Sequence, residues 1–160
     1  MTWREVPPIT LRRATLDDAD FLFALRTDPV TAHNSLQPPP NKERHRRWLA
    51  ERLDDAATKL YIVEVDGQPV GSGRLDVRRV ISSRTKPSQV KCVWLNLTVA
   101  AAARGKGYAE AIIEALVAEA KAINAPEVRA IVQADNVASH KAFLGAGFQS
   151  AYLVEYVRAL

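Results

Sequence analysis

The run Arg104-Gly105-Lys106-Gly107-Tyr108-Ala109 has residue types and spacing that could do chemistry. Two glycines alternate with two cations, behind a β-type run that ends at Val99 and ahead of helical spacing that begins near Tyr108. A helix N-terminus presents unpaired backbone N–H groups and the positive end of the macrodipole, and glycine lets a phosphate approach that backbone closely. Arg104 and Lys106 add formal charge. The expected chemistry is anion binding, and a small phosphorylated ligand fits it. A Walker loop would need Ser or Thr after its Gly-Lys, and a Rossmann loop a third small residue three past its second glycine. Tyr108 follows Gly107 and Glu110 occupies the later site, so neither pattern applies.

The elements that must position this loop can be read in both directions from it. Val90 to Val99 is the longest β-type run, with Val93, Trp94, Leu95, Leu97 and Val99, and is expected as a central strand. Ile112, Ile113, Leu116, Val117 and Ala120 recur at helical spacing until Asn124 and Pro126 end the helix. A strand over Val128–Gln133, a helix over Val137–Leu144 and a strand pair around Phe148 to Val157 follow.

Upstream, Ile9–Arg13 alternates as a strand, and Thr15 with Asp18 resembles a capping box for a helix reaching about Arg26. Pro38-Pro39-Pro40 reads as a stiff loop, after which Asn41 can cap a helix carrying Trp48, Leu49 and Leu53 on one face. Tyr61 to Val65, Asp66-Gly67 and Val70 to Val77 read as an antiparallel hairpin. Gly71 and Gly73 in its return strand suggest a bulge or a close backbone approach. Val80 to Gln89 is expected as a loop. Helices between strands imply a mixed α/β layer fold. Trp48, Trp94 and Phe148 are expected in the core, and Cys92 as a small buried hydrophobe.

With 160 residues, 48% of them hydrophobic, the chain is expected to form one domain over residues 1–160 with one core. The single cysteine excludes an intramolecular disulfide, and no Cys/His cluster has metal-ligand spacing, so neither an oxidising compartment nor a metal is called for. No signal-peptide pattern and no apolar run of about 18 residues is seen, which points to a soluble cytoplasmic protein away from membranes. The net charge of +4 is spread over separate helical turns without a continuous stripe, so nucleic acid is not expected as a partner.

Arg104, Gly107 and Ala109 fit the pyrophosphate-loop pattern of the GNAT superfamily: Arg or Gln, two residues, Gly, one residue, then Gly or Ala. The resemblance extends to Leu97-Thr98-Val99, where that family has the strand that pairs with the pantetheine arm of acetyl-CoA. Ala101 replaces a proline frequent in the family. Asn136-Val137-Ala138-Ser139 through Phe143, Gly145 and Gly147-Phe148 resembles its second signature, a helix flanking the cofactor. The resemblance implies an N-acetyltransferase with acetyl-CoA as co-substrate. It implies cofactor contacts from Leu97, Thr98, Val99, Arg104, Gly105, Lys106, Gly107, Tyr108, Ala109, Asn136, Ser139 and Phe143.

It further implies direct attack of a neutral amine on the thioester in a ternary complex, the carbonyl being polarised by a backbone N–H near Leu97 to Val99. Many members carry a Tyr proton donor seven residues after the helix-opening Asn; here that position is Phe143. For the base, Glu64 and His33 are candidates, imidazole being the side chain that ordinarily titrates near neutrality. The N-terminal third, with Arg26-Thr27-Asp28-Pro29, Asn34-Ser35 and His45 before Trp48, resembles members that acetylate amino sugars on nucleotides. That makes Arg26 and His45 candidate substrate contacts. Alternatives are a protein N-terminal amine, as in ribosomal-protein acetyltransferases, a polyamine or aminoglycoside, and an acyl-CoA-binding domain without catalysis. Polyamines and aminoglycosides are cationic, and the sequence has no acidic cluster to attract them. Pairing into a homodimer is common in such proteins.

Overall fold

Strand alternation decides the architecture, because each turn of the pleat sends neighbouring side chains to opposite faces. The computed structural model describes residues 5–81 and 89–150. Five strands, β1 (Thr10–Arg13), β2 (Thr58–Val65), β3 (Gln68–Ile81), β4 (Gln89–Val99) and β5 (Val128–Arg129), lie side by side in chain order. β1 to β4 pair antiparallel and β5 joins β4 in parallel. The β2–β3 turn holds Asp66 and Gly67 at φ of 50° and 75°, the left-handed pair that a two-residue hairpin requires.

Five helices pack on this sheet: α1 (Ala19–Thr27), α2 (Pro29–His33), α3 (Lys42–Asp54), α4 (Tyr108–Ala122) and α5 (Val137–Gly145). On one face Tyr61, Val63, Leu75, Val93 and Leu95 meet Ile112, Ile113, Leu116 and Ala120 of α4 and Phe143 of α5. Each fully buried aliphatic side chain there contributes about 1.5–3 kcal/mol. On the other face Leu60 and Ile62 of β2 meet Leu22 and Leu25 of α1 and Leu49 of α3. That second cluster stops at β2. Beyond it β3 and β4 present Arg74, Asp76, Trp94 and Asn96, a polar surface beside α3.

Among the described residues the expected elements are present with four differences. The Thr15–Asp18 capping box forms, but it opens a short 3-10 turn, Leu16–Asp18, ahead of α1. α2, five residues opened by Pro29, was not expected at all. β5 is two residues long, where a strand to Gln133 was expected. β3 and β4 run to Ile81 and from Gln89, which shortens the expected loop between them; residues 82–88 lie outside the described ones, as does the expected final strand pair from residue 151 on. Cys92 is buried as expected, and desolvation pushes its thiol up. Trp48, Trp94 and Phe148 are only half-buried, the two tryptophans on the polar half-face and Phe148 edge-to-face on Phe143 at 5.0 Å.

Gly71 and Gly73 mark close approaches. A Cβ on Gly71 would lie 2.4 Å from the carbonyl oxygen of Thr98 in β4, whereas one on Gly73 would meet the Leu116 side chain of α4 at 2.8 Å. The β3–β4 register runs through both without a shift; the irregularity of the sheet lies between Val63 and Glu64. A backbone carbonyl cannot swing aside as a leucine can. Gly71→Ala should therefore cost about 2 kcal/mol or more, lowering the melting temperature by roughly 4–8 °C for a chain of this size. Gly73→Ala should cost less, and a calorimetric scan of the two variants decides it.

Candidate functional site

The site begins where β4 leaves β5. β5 pairs with β4 only at Val93 and Trp94, so from Leu97 onward that edge of β4 has no strand beside it among the described residues. Ala100 donates its N–H to Val70 on the β3 side, which fixes the alternation: Leu97 and Val99 turn their N–H and C=O groups to the open edge. Backbone groups in such a position need a partner, and an extended chain laid along this edge would supply it. Gly71 lets β3 press against the same stretch from the other side.

At the end of that edge the chain passes through a 3-10 turn, Ala101–Ala103, and enters the glycine loop. Gly105 and Gly107 sit at φ of 72° and 82°, a region closed to most side chains, and Gly107 is the N-cap of α4 with no side chain capping it. The first N–H groups of a fifteen-residue helix are thus left to an incoming anion. Gly107 carries the cradle: a Cβ there would come within 3.0 Å of a Val6 methyl, in addition to its unfavourable φ. Lys106 is exposed, Ala109 half-buried and Tyr108 buried in the core, so Tyr108 anchors the helix from below.

Arg104 does not extend over the loop. Its Nη2 donates to Asp28 Oδ1 at 2.5 Å and lies 3.3 Å from Thr31 Oγ1. The same Asp28 oxygen accepts the N–H groups of Val30 and Thr31, capping α2. Hydrogen bonding to Arg104, then to the α2 backbone, holds the Asp28 carboxyl below its ordinary range. α2 is clamped at its other end too. His33 Nε2 lies 2.8 Å from Asp135 Oδ2, and Gln133 Nε2 donates to the carbonyls of His33 and Ser35 at 3.1 and 3.2 Å. α2 therefore spans from the glycine loop to the segment between β5 and α5, across the gap that opens between β4 and β5. A carboxylate only accepts, so Nε2 of His33 is the donor in this bond. Both side chains are more than half exposed.

Asn136 opens α5 as expected, its side chain accepting the N–H of Ser139 at 3.2 Å. Phe143 is a core residue, 9% exposed and packed on Phe148. Glu64 is also committed: its carboxylate accepts from Arg12 at 2.8 Å, and Arg12 in turn binds Asp18. Arg26 and His45 face inward. Arg26 donates to the carbonyls of Gln37 and Pro38, pinning the proline loop, and burial pulls its pKa down. His45 is 5% exposed between Phe23 and Trp48, and burial, then Arg26, push its pKa down, which keeps it neutral. These residues shape the N-terminal wall, and Nη1 of Arg26 is buried there without a hydrogen-bond partner among the described residues. Sequence reading missed Asp28 and Asp135, whose partners stand 76 and 102 residues away.

A parallel strand that parts from its neighbour beside an uncapped, glycine-lined helix start is a distinctive arrangement, and the sequence agrees with it. A family model described as an acetyltransferase (GNAT) domain matches residues 9–149. The chain belongs to the GNAT acetyltransferase family. No curated protein matches the sequence. Among solved structures this GNAT domain is similar to a predicted acetyltransferase with acetyl-CoA from Clostridium acetobutylicum, at 16% identity and a TM-score of 0.71, covering 94% of this chain and 96% of that one. It is similar to an aminoglycoside 6′-N-acetyltransferase from Acinetobacter haemolyticus at 20% identity and a TM-score of 0.70, covering 94% and 98%. A further acetyltransferase, solved with a CoA–acetylneamine bisubstrate analogue, has 19% identity and a TM-score of 0.72, covering 95% and 98%. Among the described residues of this GNAT domain no three His, Cys, Asp or Glu side chains converge as metal ligands, and no helix is long and apolar enough to cross a membrane.

The Asp28–Arg104 pair has a defined acid response. Because the folded pKa of Asp28 is depressed, its stabilisation is full at neutral pH and is lost only as pH falls below the ordinary 3.8. Asp28→Asn should lower the denaturant midpoint at pH 6 and make it less sensitive to acid between pH 4 and pH 2.5, measured by urea titration at each pH. A midpoint at pH 6 equal to the wild type would refute the clamp.

Proposed function

We propose that the chain transfers the acetyl group of acetyl-CoA to a primary amine of a small molecule, by direct attack in a ternary complex. One observation carries the reading: the open edge of β4 at Leu97 and Val99 runs straight into the uncapped start of α4 at Gly107. The α4 N-terminus with Gly105, Lys106 and Gly107 suits the diphosphate of CoA, and the edge of β4 suits its amide-bearing arm. Asn136 and Ser139, at the start of α5, flank the same gap.

A backbone N–H at Leu97 or Val99 is placed to hydrogen-bond the thioester carbonyl as charge develops on it, a preorganised donor that costs no rearrangement. His33, oriented by Asp135, is the base we assign to the acceptor's ammonium, which must lose a proton before its nitrogen can attack. Its Nδ1 takes the proton, and the carboxylate on Nε2 stabilises the imidazolium that results. Positioning both reactants in one gap supplies much of the rate. The leaving thiolate takes its proton from water, since the ring of Phe143 has no proton to give and is packed into the core.

Among acceptors we put an amino sugar attached to a nucleotide first, on the resemblance of the N-terminal third. The same resemblance makes Arg26 and His45 the candidate contacts; Arg26 also binds the carbonyls of Gln37 and Pro38, and His45 packs between Phe23 and Trp48. A second reading, an acyl-CoA-binding domain without turnover, is favoured by Phe143.

Calorimetric titration should give saturable acetyl-CoA binding to the wild type and none to Gly107→Glu, which puts a side chain and a negative charge into the cradle; no binding by the wild type would refute the reading. CoA release with a defined amine would exclude the second reading. With that amine, His33→Ala should lower kcat by about 10²–10⁴-fold while acetyl-CoA affinity is unchanged, and Asp135→Asn should lower it less. An unaltered kcat in His33→Ala would remove His33 as the base.

A further inference from the structure

The polar half-face of β3 and β4 contains a hollow of about 270 Å³ against α3. Whole-ligand pockets measure roughly 300–1,000 Å³, so this one suits a single chemical group. Trp48 and Arg52 of α3 wall one side, and Arg74, Asp76 and Arg78 of β3 the other. Its carboxylates are turned into the floor. The buried Thr58 hydroxyl lies 3.1 Å from both Asp55 and Asp76, and the N–H of Ala57 donates to Asp55 at 2.9 Å.

The cations are less well matched. Arg74 shares Asp76 at 2.9 Å and lies 5.6 Å over the ring of Trp48. Arg52 is 3.6 Å from Asp55, and its Nε is buried without a hydrogen-bond partner among the described residues. Arg78 lies 5.8 Å over the ring of Trp94 and has no ion pair among the described residues; Trp94 Nε1 is a second buried donor without a partner. Three guanidinium groups thus face two carboxylates already bonded to the floor, with two orphan donors beside them. A buried donor left unsatisfied is costly, and a charged oxygen acceptor is its strongest partner.

Strand register locates the hollow relative to the reacting centre. Arg74 pairs with Asn96, one residue before Leu97, and Arg78 lies four residues further along β3, about 13 Å away. The hollow therefore starts level with Asn96 on the β3 side of β4, across that strand from its open edge, and runs away from the glycine loop. The face it occupies is opposite α4.

We propose that this hollow binds an oxyanion, a phosphate or carboxylate carried by the acceptor, while the acceptor's amine stands near Leu97. The proposal rests on the acetyltransferase reading and adds the class of substrate to it: an anionic amine, where a polycationic one would be repelled by Arg52, Arg74 and Arg78. It also supplies a charge partner for the acceptor that does not involve Arg26 or His45.

The test uses the full chain saturated with acetyl-CoA, so that the glycine loop is filled, and titrates inorganic pyrophosphate while following tryptophan fluorescence from Trp48 and Trp94. A saturable change is expected, with Kd raised at least fivefold in Arg78→Gln and in Arg52→Gln and with the melting temperature of Arg78→Gln unchanged. No saturable change, or the same Kd in Arg78→Gln, would overturn the proposal. If acetyl-CoA fails to bind, the enzymatic reading fails by itself; the titration is then run on Gly107→Glu, and dependence on Arg78 still decides the hollow. A CoA-release assay on matched amines, glucosamine 6-phosphate against glucosamine and lysine against 1,5-diaminopentane, tests the class. At least one anionic member should be preferred about tenfold in kcat/KM, and Arg78→Gln should erase the preference. Equal or reversed preference in both pairs would overturn the substrate class.

Discussion

The molecule depends on an interruption: a central strand loses its neighbour partway along its length. β4 keeps all its bonds to β3, but its contact with β5 ends after Trp94, and the N–H and C=O groups beyond it have to be satisfied by something else. Most proteins bury or pair such an edge. Here the rest of the fold is arranged to tolerate it. α4 and α5 seal the apolar face with Leu116, Ile112 and Phe143, so the gap opens between polar surfaces and not into the core. Gly71 admits Thr98 closely enough for β3 to hold β4 in place without help from the other side.

The two ends of the gap are held by opposite means. At the glycine loop the chain gives up side chains, and two left-handed residues aim backbone donors at one point. At α2 it relies on them, because five residues cannot form a stable helix alone. Asp28 reaches Arg104 and His33 reaches Asp135, so α2 is a bar fixed across the opening by a carboxylate pair at each end. Arg104, the cation expected over the phosphates, is the near fastening of that bar. The glycine loop and the N-terminal wall therefore share an atom-level contact, and disturbance of one reaches the other.

What the sequence makes legible follows the range of the interaction. The glycine loop, the Asn136 cap and the Asp66-Gly67 turn are decided by neighbouring residues, and reading them in order suffices. The faces of β2 and α4 follow from periodicity. α2 escapes because Pro29 and five residues carry no periodic signal, and its fastenings join positions 76 and 102 residues apart. The internal partners of Arg26 and Glu64 are hidden for another reason: nothing local in the sequence marks the carbonyls of Gln37 and Pro38, or the guanidinium of Arg12, as the groups they meet. The short β5 is likewise invisible, since Ala130 to Gln133 have strand-like residue types and only the divergence of the backbone leaves them unpaired.

The fastening of α2 at its two ends leaves its middle unconstrained. The Val30 side chain is exposed and that of Ala32 is a single methyl; only their backbone N–H groups meet Asp28, and neither side chain takes part in holding Asp28 or His33. An interchangeable insert is built into the scaffold: residues at these two positions can be exchanged for larger or more polar ones while the clasps on either side keep the helix seated. Directed evolution toward new amines has its natural starting library there, at two positions within a single turn of a helix whose attachment does not depend on the side chains displayed at them.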